Sequence, residues 1–195
     1  AALARKIYSI IKKLFNFKGE VSVRHNFRLK KNNIYTVKIY LQPGASEKLK
    51  KIGILISDSK FKTYWDPEIV EKTCCKKAYL RGAFLGGGSI NNPEQKTYHL
   101  ELTTHDDVNC RIIIDLMRSY KLSPKVIERK LFKVIYLKDS EKIVDFLNII
   151  GAHASLLYFE DVRVRKDVRN NVNRIVNCET ANLSKAVDAG LKPVE

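Results

Sequence analysis

The chain contains 195 residues, and its 36 Lys and Arg against 21 Asp and Glu give a formal net charge of +15. This length allows one domain, or one domain with an extension. So large a positive charge favours a polyanionic partner, nucleic acid before an anionic membrane surface. No apolar stretch approaches the ~20 residues of a membrane-spanning helix, and the first residues lack the apolar centre of a secretory signal. We therefore expect a cytoplasmic protein with no membrane partner.

The cysteines and histidines do not form a recognisable metal site. The neighbouring pair Cys74 and Cys75 is not a C-x-x-C knuckle, so reduced thiols are expected. His105 precedes two acids, and here Asp106 is expected to cap a helix that begins at Val108 rather than to hold a metal ion. No metal and no cofactor are predicted.

The first part of the chain predicts a helix, two strands and a second helix. Apolar residues fall at helical spacing over residues 4–15, and they alternate with polar residues over 21–29 and 35–41. A short helix is predicted from residue 46 to about residue 53. Together these elements form a first α/β half-unit, residues 1–66.

The same order returns later in the chain. A helix is predicted over residues 108–120, a tight hairpin over 125–137 and a second helix over 139–151. The stretches SEKLKKIGI and SEKIVDFLNIIGA are the clearest local match. Two related half-units are therefore predicted.

Additional elements precede this second repeat. A helix is predicted over residues 67–85, a turn over 89–94 and a strictly alternating strand over 97–103. With them the second half-unit spans residues 67–158. Because the first half-unit has no counterpart of this helix and strand, we expect the chain to start part-way through the first repeat.

The composition changes after the second half-unit. Residues 159–183 are rich in Arg and Asn and predict a helix, followed by a linker over 185–195. Four polar residues fall at helical spacing and indicate one basic face: Arg163, Lys166, Asn170 and Arg174.

The stretch YLRGAFLGGGSI, residues 79–90, resembles the motif helix of the LAGLIDADG homing endonucleases. Against the family pattern G-F-F-D-G-D-G-S-I, Leu85 and Gly87 occupy the two acidic positions, and the second position normally ligates the metal ion. Mg²⁺ prefers carboxylate oxygens, which neither residue supplies. The resemblance therefore implies the fold without the nuclease chemistry, and so no enzyme.

Longer runs closely resemble the WhiA family of bacterial transcription regulators, which are linked to sporulation and cell division. They are CCKKAYLRGAFLGGGSINNPE, YHLEL and NIIGAHASLLYFEDVRVRKDVRNNVNRIVNCETANL. The resemblance implies an α+β, LAGLIDADG homing-endonuclease-like fold with two pseudo-symmetric α/β half-units and curved antiparallel sheets, the first half truncated. Residues 159–195 then lead toward a C-terminal helix-turn-helix domain that this chain lacks.

In the resembled fold, the motif helices pack together along a pseudo-twofold axis. Ala78, Gly82 and Gly86 lie four residues apart, and small residues allow two helix backbones to approach closely. Glycine in a helix costs up to about 1 kcal/mol relative to alanine. The stripe therefore indicates motif-helix packing, and a simple C-terminal helix stop is the alternative.

A curved sheet with one buried and one charged face suits DNA. The candidate DNA-binding residues lie on the two hairpins and on the Arg/Asn-rich helix: Arg24, Arg28, Lys30, Lys31, Lys38, Lys125, Arg129, Lys130, Lys133, Arg163, Lys166 and Arg174. Lys and Arg contacts to phosphate give affinity that falls with salt. The alternatives are a solvated face and, for the helix, packing against a following domain.

The function that follows is a catalytically inactive, nucleoid-associated DNA-binding module of a transcriptional regulator, with double-stranded DNA as its partner. The alternative is a protein–protein interaction module of a regulator whose DNA binding lies in the missing helix-turn-helix domain. A live nuclease that recruits acids from elsewhere is the third hypothesis, and it requires Mg²⁺-dependent nicking. The oligomeric state stays open.

Overall fold

The computed structural model describes residues 2–24, 33–40, 42–51, 55–57, 60–61 and 70–191. Helices and antiparallel strand pairs occur together, which confirms the expected α+β class. The chain divides into two compact units: unit 1 comprises Ala1–Ser89 and Glu101–Tyr136, and unit 2 comprises Ile90–Leu100 and Leu137–Glu195. No helix in the described ranges has the length and apolarity needed to cross a membrane.

Unit 1 begins with a helix, a hairpin and a second helix. The elements are α1 (Ala2–Phe15), β1 (Gly19–Arg24), β2 (Ile34–Ile39), α2 (Ala45–Lys51) and the short strands β3 (Leu55–Ser57) and β4 (Lys60–Phe61). Phe17, Ala45 and Leu49 form a small core against which the partly buried Ile11 and Ile39 pack. Helix α1 therefore forms where the periodicity predicted it, and β1 and β2 overlap the predicted strands at residues 21–24 and 35–39, while residues 25–29 and 41 lie outside the described residues.

The rest of unit 1 contains two helices and most of a four-stranded sheet. The elements are α3 (Thr73–Gly87), β5 (Gly88–Ile90), β6 (Leu100–Thr104), α4 (Asp107–Ser119), β7 (Lys125–Arg129) and β8 (Phe132–Leu137). The strand order is β5-β6-β8-β7. The Asp106 side chain accepts a hydrogen bond from the Val108 amide at 2.8 Å, which confirms the predicted cap of α4.

The helices of unit 2 are α5 (Ser140–Ile149) and α6 (His153–Gly190). Apolar residues of both helices are buried: Ile143, Phe146, Leu147, Phe159 and Val162. Gly151 ends α5 with a φ of 73°, a conformation that favours glycine. Its amide donates to the Asn148 carbonyl at 3.0 Å, and the Ala152 amide donates to the Leu147 carbonyl at 2.9 Å. This Schellman arrangement satisfies the last carbonyls of α5.

Two predicted boundaries near α3 were wrong. The helix begins at Thr73 and not at Pro67, because the backbone of Lys72 is extended, with φ −70° and ψ 141°. A strand occupies Gly88–Ile90, where the sequence predicted the start of a turn, because Gly88 brings the backbone directly from helix to extended form.

The predicted linker after Lys185 is helical as far as Gly190. No proline interrupts α6, and alanine, which has the highest helix propensity, recurs at Ala181, Ala186 and Ala189. The helix also begins at His153, so it runs without a break through residue 159, where the sequence placed a domain boundary.

The Asp139 cap of α5 can be tested by substitution. The carboxylate accepts hydrogen bonds from the amides of Glu141 at 2.9 Å and Lys142 at 3.4 Å. Asp139→Ala should lower the free energy of unfolding by about 1 kcal/mol in urea titrations, because both amides lose their acceptor. The neighbouring Ser140→Ala is the control and should stay within about 0.5 kcal/mol of the wild type. Equal losses in both variants would contradict the cap.

Candidate nucleic-acid interface

The β7–β8 hairpin presents different cations on its two faces. Glu128 pairs directly with Lys133 in the antiparallel register, and directly paired residues point to the same face. Successive residues of a strand alternate between faces, so Lys125 and Arg129 lie on one face, and Glu128 lies on the other with Lys133. The structure therefore does not bring all of the predicted hairpin cations together.

Lys125 and Arg129 are exposed on the edge strand β7, whereas Val134, on the same face of β8, is buried. Every residue of β7 is exposed, and Lys130 is exposed in the turn. The Arg129 guanidinium carbon lies 5.9 Å from the Phe132 ring centroid, a cation–π contact that orients the head group. These three cations form what we call the hairpin basic face.

His105 supports the tip of this hairpin, a role that sequence reasoning missed. Its Nδ1 donates to the Leu131 carbonyl at 2.7 Å, and its ring meets the Phe132 ring edge-on at 5.9 Å between centroids. His105 and Leu131 are far apart in the sequence, so no local pattern could have indicated this contact.

Lys133 is neutralised by two carboxylates. Its Nζ lies 2.8 Å from Asp107 Oδ1 and 3.0 Å from Glu128 Oε1. The hydrogen bond to Asp107, followed by the one to Glu128, raises the pKa of Lys133. The same hydrogen bond from Lys133 lowers the pKa of Asp107. Lys133 thus links α4 to the hairpin on the face away from Lys125 and Arg129.

The first hairpin carries one paired and one exposed cation. Lys38 Nζ lies 3.2 Å from Glu20 Oε1, its direct cross-strand partner. Arg24 is exposed and points to the same face as Glu20, because it lies four residues further along β1. The predicted residues Arg28, Lys30 and Lys31 lie outside the described residues.

Lys166 on α6 holds a loop of unit 2. Its Nζ donates to the Pro93 carbonyl at 2.6 Å and also to the Gln95 carbonyl. The same ammonium lies 4.9 Å from the Tyr98 ring centroid, and that ring packs on Phe159 with 5.1 Å between centroids. Its observed partners are therefore backbone and aromatic groups of its own unit.

The other predicted cations of α6 differ in their surroundings. Arg163 Nε lies 3.1 Å from Glu160 Oε2, one turn away, whereas Arg174 is exposed. A groove of about 290 Å³ beside Lys166 is also lined by Arg165 and Arg169, two arginines that the sequence analysis did not include. By helical spacing, Arg165 and Arg169 lie outside the basic face that the sequence predicts.

The end of α3 is too close to β6 for any side chain at Gly87. A Cβ on Gly87 would lie 2.6 Å from the Thr103 carbonyl oxygen, well inside contact distance. Thr103 Oγ1 also donates to the Gly87 carbonyl at 3.0 Å. A Cβ on Gly88 would collide with the Phe84 ring. Leu85, at the other motif position, is 46% exposed.

The predicted packing stripe lies along an open groove. Ala78 and Gly82 line a groove of about 470 Å³ on α3, together with Val70, Cys75, Tyr79, Ala83 and Asn109. A Cβ on Gly82 or on Gly86 would meet no heavy atom of the described structure within 4 Å. Motif-helix packing by these residues stays a prediction, and the close approach occurs instead at Gly87 and Gly88.

The residues that the structure describes contain no group of three His, Cys, Asp or Glu side chains able to hold a metal ion. Cys74 and Cys75 have their sulfur atoms 3.9 Å apart, at hydrogen-bond distance, and form no disulfide. Burial of Cys110 raises the pKa of its thiol.

Adjacent glycines of α3 should respond to alanine in opposite directions. Gly87→Ala should destabilise the protein by about 1–3 kcal/mol, because the new methyl group overlaps backbone that cannot move away alone. Gly86→Ala has open space and should raise stability by up to about 1 kcal/mol through helix propensity. Chemical denaturation of both variants provides the measurement, and an equal response would contradict the close approach at Gly87.

The Lys133 cluster should make stability pH-dependent. The lowered pKa of Asp107 means that its contribution is present above the usual carboxyl range and is lost as pH falls through the folded value. The raised pKa of Lys133 means that its contribution is lost as pH rises through its folded value. The difference in thermal midpoint between wild type and Asp107→Asn should therefore shrink below about pH 4. Asp115→Asn, whose carboxylate is 4.0 Å from Arg118, is the control and should show a smaller difference at neutral pH.

Two family models match this chain. The WhiA N-terminal LAGLIDADG-like domain matches residues 1–55, and the WhiA LAGLIDADG-like domain matches residues 76–169. The crystal structure of full-length DUF199/WhiA from Thermatoga maritima superposes with a TM-score of 0.66 at 21% identity, over 95% of this chain and 57% of that chain. This likeness confirms the expected LAGLIDADG-like fold.

Curated relatives match at higher identity. The probable cell division protein WhiA of Alkaliphilus metalliredigens is 53% identical over 100% of this chain and 62% of its own length. The probable cell division protein WhiA of Shouchella clausii is 54% identical over 100% of this chain and 60% of its own length. The chain thus spans about 60% of the length of these relatives. On these matches, the chain belongs to the WhiA family.

Proposed function

We propose that this chain is a DNA-binding module of a transcriptional regulator that acts in sporulation and cell division and that binds DNA without cutting it. The observation that carries the proposal is the hairpin basic face, where Lys125, Arg129 and Lys130 are exposed together. Such a module would act on double-stranded DNA at the nucleoid.

The hairpin basic face suits the DNA backbone better than a single base. Lys125 and Arg129 lie four residues apart on one face of β7, about 13 Å along the strand. That separation lets the two side chains contact different phosphates. Phosphate contacts supply affinity and position, while base contacts add sequence choice. The cation–π contact of Arg129 reduces the freedom of its side chain before DNA arrives.

The proposal that the chain does not cut DNA rests on the side chains at the end of α3. A nuclease of this fold needs carboxylates there to hold Mg²⁺, and Leu85 and Gly87 supply no oxygen ligand from their side chains. A carboxylate cannot simply be restored at Gly87, because its Cβ would lie 2.6 Å from the Thr103 carbonyl oxygen. The residues present therefore do not fit a catalytic metal.

A salt series with a labelled duplex tests this proposal. Affinity should fall linearly in log[salt], and the Arg129→Ala variant should bind more weakly with the magnitude of the slope reduced by about 1, the loss of one phosphate contact. Fluorescence anisotropy gives the affinity, and a gel run after incubation with Mg²⁺ should show intact DNA.

Lys133→Ala is the matched control, because it removes one positive charge from the opposite face of the same hairpin. Its salt slope should equal that of the wild type. A similar loss in both variants would indicate binding through net charge alone, and Mg²⁺-dependent products would contradict the non-cleaving assignment.

A protein–protein interaction module is the second candidate function. Three predicted DNA contacts are paired with acids, since Lys38 binds Glu20, Arg163 binds Glu160 and Lys133 binds two carboxylates. Cations neutralised in this way attract phosphate less strongly. No binding of duplex DNA at low salt would favour this alternative over the DNA-binding module.

A further inference from the structure

The C-terminal part of α6 is exposed on all sides. Residues 167–190 are each exposed, over a length of roughly 36 Å. Helices in proteins owe most of their stability to the tertiary packing of one apolar face. This segment therefore needs an apolar face and a partner to cover it.

Such a face exists on α6. Its members are large apolar residues, each more than half exposed: Val164, Val168, Val172, Ile175, Val176, Leu183 and Val187. On a helix these residues cover an arc of about 140°. We call this set the α6 stripe. Phe159, Val162 and Lys166, which pack within unit 2, lie outside the arc, and Val162 is about 20° from the edge that Val187 sets.

The residue types also indicate packing. Five of the seven members are valine and a sixth is isoleucine. Branching at Cβ lowers helix propensity, so these residues weaken an exposed helix. Exposed apolar side chains grouped on one side of a helix mark interaction sites. Over an arc this wide, the natural partner is another helix.

The stripe is symmetric about the bond between Ile175 and Val176. Counted outward from this point, Val168 and Leu183 lie at equal distances, and so do Val164 and Val187. The one mismatch sets Val172 opposite Glu179. A helix whose apolar positions read alike in both directions is self-complementary when a second copy runs antiparallel to it.

We propose that two copies of this chain associate through antiparallel pairing of their α6 stripes, with a twofold axis between Ile175 and Val176. Val172 meets Glu179, and every other valine or leucine of the stripe then meets an apolar residue of the other copy. The interface is isologous, so it closes at two copies. The proposal does not depend on DNA binding.

Charge favours the antiparallel orientation. Glu179 faces the Val172 position of the other copy, where that copy's Arg169 lies one turn away and within reach of its carboxylate. Within one chain, the same two residues are about 15 Å apart along the helix and cannot pair. A parallel arrangement would instead set Glu179 beside Glu179 and Arg169 beside Arg169.

Sedimentation equilibrium of the whole chain over a wide concentration range tests the pairing. The mass should rise from one chain toward two with concentration. Ile175→Glu places two acids beside the twofold axis and should weaken dimer formation at least about tenfold. Asn177→Glu makes the same change of charge outside the stripe and should dimerise like the wild type. Circular dichroism must show that both variants keep their helix.

Charge reversal tests the orientation. Glu179→Arg and Arg169→Glu should each weaken the dimer, and the combined variant should recover it, because the pair re-forms between copies with reversed sign. If the combined variant instead shows the sum of the two losses in dimer affinity, the antiparallel register is wrong.

Two results would overturn the pairing itself. One is a chain that stays monomeric at every concentration, and the other is an Ile175→Glu variant that dimerises like the wild type. If the chain is monomeric but the stripe amides are protected from hydrogen exchange in a full-length relative, the additional residues of that relative cover the stripe instead.

Discussion

The close contact between α3 and β6 is the constraint on which the rest of unit 1 depends. Gly87 leaves no room for a Cβ against the Thr103 carbonyl, and Gly88 leaves none against Phe84. The helix can therefore pass directly into β5 without a loop. Gly87, which allows this approach, also occupies the second of the two motif positions at which the family pattern has an acid.

The arrangement of charge on the sheet follows from strand alternation. Lys133 lies on the face that meets the start of α4, where Asp107 and Glu128 surround its ammonium. Lys125 and Arg129 lie on the other face of the same hairpin, on the exposed edge strand β7. One hairpin thus carries both an ion-pair cluster and exposed cations that have no part in it.

Helix α6 combines two different kinds of contact along one element. Its first turns bury Phe159 and Val162, and Lys166 binds the loop carbonyls of Pro93 and Gln95. Its later turns expose both the α6 stripe and a polar side with Arg174. A long helix is stiff, so the packing of the first turns of α6 also sets the direction of its later turns, where residues 167–190 are exposed.

Periodicity and capping in the sequence alone determined α1, α4, α5 and the β7–β8 hairpin, because each depends on residues within a few positions of one another. The stretch YLRGAFLGGGSI likewise indicated the LAGLIDADG-like fold, and the loss of metal ligands at Leu85 and Gly87 stays a prediction. Tertiary structure alone decided which cations stay exposed: Lys133 meets Asp107, and Lys166 meets a loop more than seventy positions away. It also decided that Gly87, and not Gly82 or Gly86, lies against a neighbouring strand. Such contacts join residues distant in sequence, so no local pattern of residue types can specify them.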